Sequence, residues 1–253
     1  MVPKLVLCAM TIPQQSSVQV SVVLPAYNEV DYIAPAVEKT ADVLRQFADS
    51  FEIVIAEDGS TDGTPERSQE LSEQYPYVRH IHRDQRLGRG TALNNAFKQC
   101  HGEVFVYMDL DLATDLNYLK PLVDAIALED YDFATGSRMM PNSRAERTFS
   151  RGFSSKAYNA LVRRLLGSKL YDHQCGFKAF KPQSLFELID KVEAHHWFWD
   201  TELMVRAHRD GFRVKEIAVE WHSGKDTKVN LVKDSWNMFR HVLRLYWKMR
   251  IKK

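Results

Sequence analysis

Val18-Gln-Val-Ser-Val-Val-Leu-Pro25 is a nearly unbroken β-branched run closed by proline, and Phe51-Glu-Ile-Val-Ile-Ala56 is a second short apolar run. Strands buried on both faces read this way, as continuous hydrophobic stretches with no polar alternation. Between them Ile33, Val37, Leu44 and Phe47 recur at helical spacing, which predicts a helix ending near Ser50. The second run closes in the turn cluster Asp58-Gly-Ser-Thr-Asp-Gly63, and Thr64 followed by Pro65 supplies an N-cap and a first-turn proline for the next helix. The same reading predicts a strand over Val78 to His82, a helix over Thr91 to Cys100 and a strand over Glu103 to Met108. A helix over Tyr118 to Leu128 and a strand over Asp132 to Thr135 follow. Strands alternating with helices of this length call for an α/β fold with a mostly parallel, Rossmann-like sheet and helices on both faces. Beyond residue 140 the pattern loosens. Arg147 to Leu166, Thr201 to Arg209 and Leu231 to Arg250 look helical, and Arg213 to Trp221 looks like a strand.

With 253 residues, 45% apolar and 26% charged, the chain has the composition of a globular protein and not of a disordered, collagen-like or disulfide-stapled one. No repeat or linker divides it, so the expected organisation is a loose segment 1–17, one domain over 18–229 and a basic amphipathic helix over 230–253. Cys8, Cys100 and Cys175 are odd in number and widely spaced, which fits reduced thiols and a cytoplasmic setting. No apolar run reaches the ~18 to 20 residues that cross a bilayer, and Leu5 to Met10 is short for a secretory signal. The net charge of +1 conceals an asymmetry: residues 225–253 carry +7 and the rest −6. A second basic segment comprises Arg138, Arg144, Arg147, Arg151, Lys156, Arg163 and Arg164 against Glu146 alone. No feature of the chain calls for nucleic acid.

In parallel sheets ligands sit beyond the carboxyl ends of the strands. The residues there are acidic and polar: Tyr27, Asn28 and Glu29, then Glu57 and Asp58, then Asp109 and Asp111. In Asp109-Leu-Asp111 two carboxylates project to the same side, as Mg²⁺ or Mn²⁺ with substrate phosphates would require. Asp58 could accept a ring N–H of uracil or guanine, or serve only as a turn residue. Leu87-Gly-Arg-Gly90 does not make a dinucleotide loop, because Leu93 stands where the third glycine belongs. His80 and His82 share one strand face, yet no carboxylate or cysteine lies at ligand spacing, so they are expected to be packed or solvated. Cys175 is expected to be packed and not nucleophilic.

Val20-Ser-Val-Val-Leu-Pro-Ala-Tyr-Asn-Glu29, Glu57-Asp-Gly-Ser-Thr-Asp-Gly63 and Asp109-Leu-Asp111, in this order, resemble the family 2 glycosyltransferases with the GT-A nucleotide-sugar fold. Gly136-Ser-Arg138, Asp172-His-Gln-Cys-Gly-Phe-Lys178 and Trp197-Phe-Trp-Asp-Thr-Glu-Leu203 are similar to the dolichyl-phosphate glucose and mannose synthases, the glucose side especially. The resemblance implies that Pro25, Tyr27, Glu29 and Asp58 contact the nucleotide and that Asp109 and Asp111 hold a Mg²⁺ or Mn²⁺ ion. It further implies that Arg138 faces phosphate and that Asp200 and Glu202 belong to the acidic catalytic motif. Ala113 departs from the mannose synthases, which place a polar metal contact there, and this weakens the case for GDP-mannose.

Transfer from a nucleotide sugar needs the charge growing on the leaving diphosphate to be stabilised. A hydroxyl acceptor also needs a base, whereas a phosphate monoester with a second pKa near ~6 is already ionised at neutral pH. The expected reaction moves a hexose with inversion to dolichyl or polyprenyl phosphate. Asp200 or Glu202 would orient the acceptor, and Arg144, Arg147, Arg151, Lys156, Lys225 and Lys228 would meet its phosphate. A peripheral location on the cytoplasmic face would follow, with the terminal helix in the headgroup region. A glycan acceptor with a true base, and a non-catalytic nucleotide-sugar binding module, are the alternatives.

Overall fold

A computed structural model of the chain describes residues 18–146, 149–222 and 231–251, without the side chains of 149–151, 153, 231–235 and 251. The expected loose segment 1–17 therefore lies outside the described residues. The first half alternates as anticipated: β1 (Val20–Ala26), α1 (Val30–Leu44), β2 (Phe51–Glu57), α2 (Thr64–Gln74), β3 (Val78–Ile81), α3 (Arg89–Phe97) and β4 (Val104–Met108). After a 3-10 turn at Leu116–Tyr118 come α4 (Leu119–Ala127), β5 (Phe133–Ser137), β6 (Arg144–Glu146), α5 (Phe149–Leu166) and β7 (Phe177–Phe180). The chain continues with α6 (Pro182–Ile189), α7 (Phe198–Arg209), β8 (Val214–Ala218), β9 (Glu220–His222) and α8 (Leu231–Ile251).

Seven strands form one sheet in the order β3-β2-β1-β4-β7-β5-β8. β3, β2, β1 and β4 run parallel, β5 and β8 run parallel, and β7 alone is antiparallel to its neighbours β4 and β5. Alternate residues of each strand feed the two faces. Val22, Leu24, Ile53 and Ile55 pack under α1 and α4 through Ile33, Val37, Leu119 and Leu122. Val23, Val54, Phe105 and Tyr107 pack under α3, α6 and α7 through Leu93, Phe97, Leu188, Trp199 and Leu203. Each such side chain, fully removed from water, contributes roughly 1.5–3 kcal/mol. This double burial is why β1 and β2 are apolar through their middles, the polar Ser21 and Glu52 near their starts being buried as a hydrogen-bonded pair at 2.6 Å.

Three local expectations change. The strand foreseen over Arg213 to Trp221 is broken at Val219, whose N–H donates to Ser137 O at 3.1 Å; its second part, β9, pairs with β6 in a separate small sheet. β7 and α6 were not foreseen. α7 starts at Phe198, earlier than Thr201, so Trp199 reaches the core. The terminal helix is present, with Val242 and Leu245 buried against the domain.

Candidate active site

The chain runs from β1 outward through β2 to β3, then returns to β4 on the other side of β1. Ligands of doubly wound sheets sit at such a reversal, beyond the strand ends. Here the loops after β1 and β2 are tied together. Asn28, at φ 54°, accepts from Thr61 N–H at 2.8 Å, and its own N–H donates to Ser60 Oγ at 3.0 Å. Glu29 N–H donates to Thr64 Oγ1 at 2.9 Å. Asp58 is buried, its N–H donating to Ala26 O, and its two carboxylate oxygens accept from Leu87 N–H at 2.9 Å and Gly88 N–H at 2.8 Å. It thereby holds the loop that carries Arg86, whose guanidinium lies 3.6 Å from the Tyr27 ring centre. Pro25, Tyr27, Glu29 and Asp58 thus form one corner of the rim.

Asp109 follows β4 directly. Its N–H donates to Gly176 O at 3.0 Å, and its carboxylate lies against Gly176 so closely that a Cβ there would fall 2.0 Å from Oδ2. Asp111 is exposed, and its Oδ1 accepts from Ala113 N–H at 3.0 Å across a turn in which Leu112 takes φ 49°. Both carboxylates border a small recess with Thr114 and Gly176. They are a hard-oxygen donor set of the kind Mg²⁺ or Mn²⁺ takes, and the space left by Gly176 is what lets Asp109 face it. Arg89, at the start of α3, pairs with Asp109 through Nη2 and lies over the rings of Tyr107 and Trp197 at 5.3 and 5.0 Å. Burial pushes the Asp109 carboxyl up in pKa, and the Arg89 charge opposes it.

Asp200, in the first turn of α7, is buried and accepts from the Tyr107 hydroxyl; Lys178 Nζ lies 3.4 Å from it. Lys178 is itself fully buried and donates to Thr135 Oγ1 at 3.1 Å and Cys175 O at 2.5 Å. Asp200 therefore has its charge compensated, and it lies close enough to Asp109 for the two carboxylates to interact. Glu202 is elsewhere. Residues two apart on a helix point to nearly opposite sides, and Glu202 accepts from Ala194 N–H at 3.0 Å and from Arg206 Nε at 2.9 Å, bracing the segment before α7.

The family model described as Glycosyl transferase family 2 matches residues 21–188, which include every rim group above up to Lys178. The chain belongs to glycosyl transferase family 2. Over 239 residues it is 50% identical to glycosyltransferase AglD of Haloferax volcanii, covering 94% of this chain and 38% of that protein. The chain thus spans about two fifths of the length of that relative. It is 28% identical over 242 residues to the dolichyl-phosphate beta-glucosyltransferase of Saccharomyces cerevisiae, covering 88% of this chain and 72% of that protein. Among solved structures it is similar to glucosyl-3-phosphoglycerate synthase from Mycobacterium tuberculosis with Mn²⁺, UDP and phosphoglyceric acid. There the TM-score is 0.67 at 19% identity, over 90% of this chain and 76% of that one. Mannosyltransferase PcManGT from Pyrobaculum calidifontis, with GDP-Man and Mn²⁺, gives 0.62 at 20% identity over 94% and 66%. The fold is the GT-A fold.

Within this family 2 chain the second half closes the rim. Arg138, just past β5, grips buried Asp172 by a two-point fork, Nε to Oδ2 at 2.6 Å and Nη2 to Oδ1 at 3.0 Å. Asp172 is anchored by its neighbour His173, whose ring nitrogens reach Asn159 Oδ1 at 2.7 Å and Ser168 Oγ at 2.8 Å. Cys175 is buried beside them, its thiol pushed up to about 11 by burial, so it is packed and not nucleophilic. Arg144 pairs with Glu220 Oε1 at 2.9 Å on the small sheet, and Lys156 is exposed on α5. Arg147, Lys225, Lys228 and the Arg151 side chain lie outside the described residues. Sequence reasoning passed over Arg86, Arg89, Tyr107 and Lys178. The Gly-Arg-Gly segment carrying Arg89 fails as a dinucleotide loop, and its sequence gives no sign that the arginine pairs with Asp109.

Proposed function

We propose that the chain is an inverting, metal-dependent hexosyltransferase that uses a nucleotide sugar as donor and dolichyl or polyprenyl phosphate as acceptor. The reading rests on one observation: the Asp58 corner, the Asp109–Asp111 pair and the fixed cations Arg89 and Arg138 meet along a single rim, with Arg138 close enough to Asp109 for their charges to interact. Pro25, Tyr27, Glu29 and Asp58 take the nucleoside, with Arg86 stacked on Tyr27 as part of the same corner. Asp109 and Asp111 would hold a Mg²⁺ or Mn²⁺ ion, which when bound supplies Lewis-acid stabilisation to the departing diphosphate. Arg138, held rigid by Asp172, faces phosphate. An acceptor phosphate oxygen attacks the anomeric carbon as the bond to the nucleoside diphosphate breaks, which inverts the configuration.

The compensated state of Asp200 supports a phosphate acceptor over a glycan. A general base needs a carboxylate with a lone pair directed at the hydroxyl proton. Asp200 is engaged by Tyr107 and faces Lys178, so it is better suited to hold the floor of the site than to take a proton. The name of the yeast relative supports glucose as the sugar. Incubation of UDP-glucose or GDP-mannose, radiolabelled in the sugar, with a short polyprenyl phosphate and Mn²⁺ is expected to move label into the organic phase. Label found only in a glycan or protein fraction would overturn the acceptor, and no release from either donor would overturn the transferase.

Peripheral membrane contact on the cytoplasmic face belongs to the same proposal. Among the described residues no helix is long and apolar enough to cross a membrane. On α8 the buried stripe of Val242 and Leu245 docks on the domain, while Trp236 and Trp247, 63% and 59% exposed, lie on the opposite side. Eleven residues are nearly three whole helical turns, so both tryptophans and Arg240 share one face. Aromatic rings beside basic side chains suit a headgroup layer. Replacing both tryptophans with serine is expected to release the protein from anionic vesicles with the melting temperature unchanged, and Arg240→Gln should weaken binding about fivefold, each basic residue being worth ~1 kcal/mol there. Undiminished vesicle binding by the double variant would refute the contact.

A further inference from the structure

His80 lies on β3 and His82 comes just past its last residue, Ile81; continued alternation turns both to one side, and their ring centres stand 5.9 Å apart. No carboxylate lies at ligand spacing in the sequence around them. The sheet supplies one: β2 and β3 are in register with Ala56 opposite Ile81, so Glu57 at the end of β2 comes level with His82. One ligand atom from each of Glu57, His80 and His82 falls within 4.8 Å of the others. Among the described residues this is the one group of three or more histidine, cysteine or acidic side chains so placed.

The outer contacts of the three groups are arranged as those of metal ligands are, where a second hydrogen bond fixes each ring's tautomer and orientation. His82 presents Nδ1 to Glu57 Oε2 at 2.5 Å, while its Nε2 is 3.3 Å from Asp84 Oδ1. His80 has Nδ1 3.4 Å from Gln69 Oε1, and its Nε2 is buried with no hydrogen-bond partner. Glu57 is buried, and its second oxygen accepts from Ser60 N–H at 2.5 Å. Each ligand thus has one atom turned inward and another held from outside. The orphaned Nε2 of His80 is the costly feature, because a buried polar atom without a partner loses its hydration for nothing in return. Burial also keeps the His80 imidazole in its neutral, metal-binding form by lowering its pKa.

We propose that Glu57, His80 and His82 bind a borderline divalent cation, with Zn²⁺ as its representative, at a second site separate from Asp109 and Asp111. Two imidazoles and one carboxylate suit Zn²⁺ and not Mg²⁺, which prefers oxygen throughout. Ligand atoms around tetrahedral Zn²⁺ at ~2.1 Å stand about 3.4 Å apart. The Glu57–His82 contact must therefore open by roughly 0.9 Å, a carboxylate rotation, and water completes the shell. Glu57 precedes Asp58, so the ion would clamp β2 to β3 beside the corner that Asp58 organises.

Equilibrium dialysis of the full chain against Zn²⁺, with a large excess of Mg²⁺ occupying hard-oxygen sites, tests this independently of any transferase activity. The expected result is one Zn²⁺ per chain, unchanged in Asp111→Asn, lost in His80→Ala and in His82→Ala, and weakened 10- to 100-fold in Asp84→Ala and Gln69→Ala, which lose only the outer bond. His82 is half-exposed, so its variant is expected to fold, and circular dichroism of each variant checks this. Failure of the wild-type chain to bind Zn²⁺, or binding by His82→Ala with unaltered stoichiometry and affinity, would overturn the site.

Discussion

Asp111→Asn is expected to reduce turnover by about two to three orders of magnitude, the cost of removing one charge-stabilising group from a transition state, while leaving the melting temperature unchanged. The amide keeps the side-chain volume and can still accept from Ala113 N–H, so the turn survives. What goes is one negative charge facing the recess. Asp109→Asn is expected to cost at least as much activity and to destabilise the fold as well. Arg89 is largely buried and leans on Asp109, and depriving a buried charge of its partner costs more than the pair itself contributes. Turnover and thermal unfolding of the two variants, measured together, separate these cases. Full activity of either variant in EDTA would remove the pair from the chemistry.

Gly176→Ala should be nearly as damaging, although it adds one methyl group to a position that binds nothing. The new Cβ would stand 2.0 Å from Asp109 Oδ2 and 2.4 Å from its Cγ, far inside van der Waals contact. The backbones cannot separate cheaply, because Asp109 N–H donates to Gly176 O where β4 and β7 meet. The carboxylate has to swing instead, away from the direction it shares with Asp111. We expect Mn²⁺ affinity, read by paramagnetic resonance, to weaken at least tenfold, on the order of a lost outer-shell contact, and turnover to fall with it. Unfolding should remain cooperative. Wild-type Mn²⁺ affinity in this variant would show that Asp109 does not need its present orientation.

The parallel half of the fold was legible because β1, β2 and β4 are buried on both faces, and such strands advertise themselves as apolar runs. Their carboxyl ends then located Asp58, Asp109 and Asp111 without further information. β7 was hidden by Lys178: a four-residue strand with lysine at its second position looks like a surface segment. The lysine is buried only because Thr135, Cys175 and Asp200 surround its ammonium group, and two of those partners come from the distant elements β5 and α7. Asp200 and Glu202 were grouped because they are adjacent in a motif, and a linear motif does not display helical phase. The fork that holds Arg138 in place comes from Asp172, 34 residues further along, where a linear reading does not look for it. His80 and His82 have no carboxylate at ligand spacing along the chain; Glu57 arrives from the neighbouring strand, 25 residues before His82. Contacts made through the sheet register are the part that reading along the chain does not reach.

The reversed direction of β7 has a practical meaning for protein engineering. β5 leaves the sheet at Ser137 on the rim, and β7 enters it at Phe177 on that same rim, with Thr135 opposite Lys178 in the ladder. Residues 138–176 therefore depart from and return to adjacent points, like a cassette plugged into a socket. Exchanging that cassette between members of the family would leave the strand order and the β1, β2 and β4 termini untouched. Chimeras joined at Ser137 and Phe177 would then set Arg138, Arg144 and Lys156 of one enzyme, the cations proposed to meet phosphate, against the Asp58 corner of another.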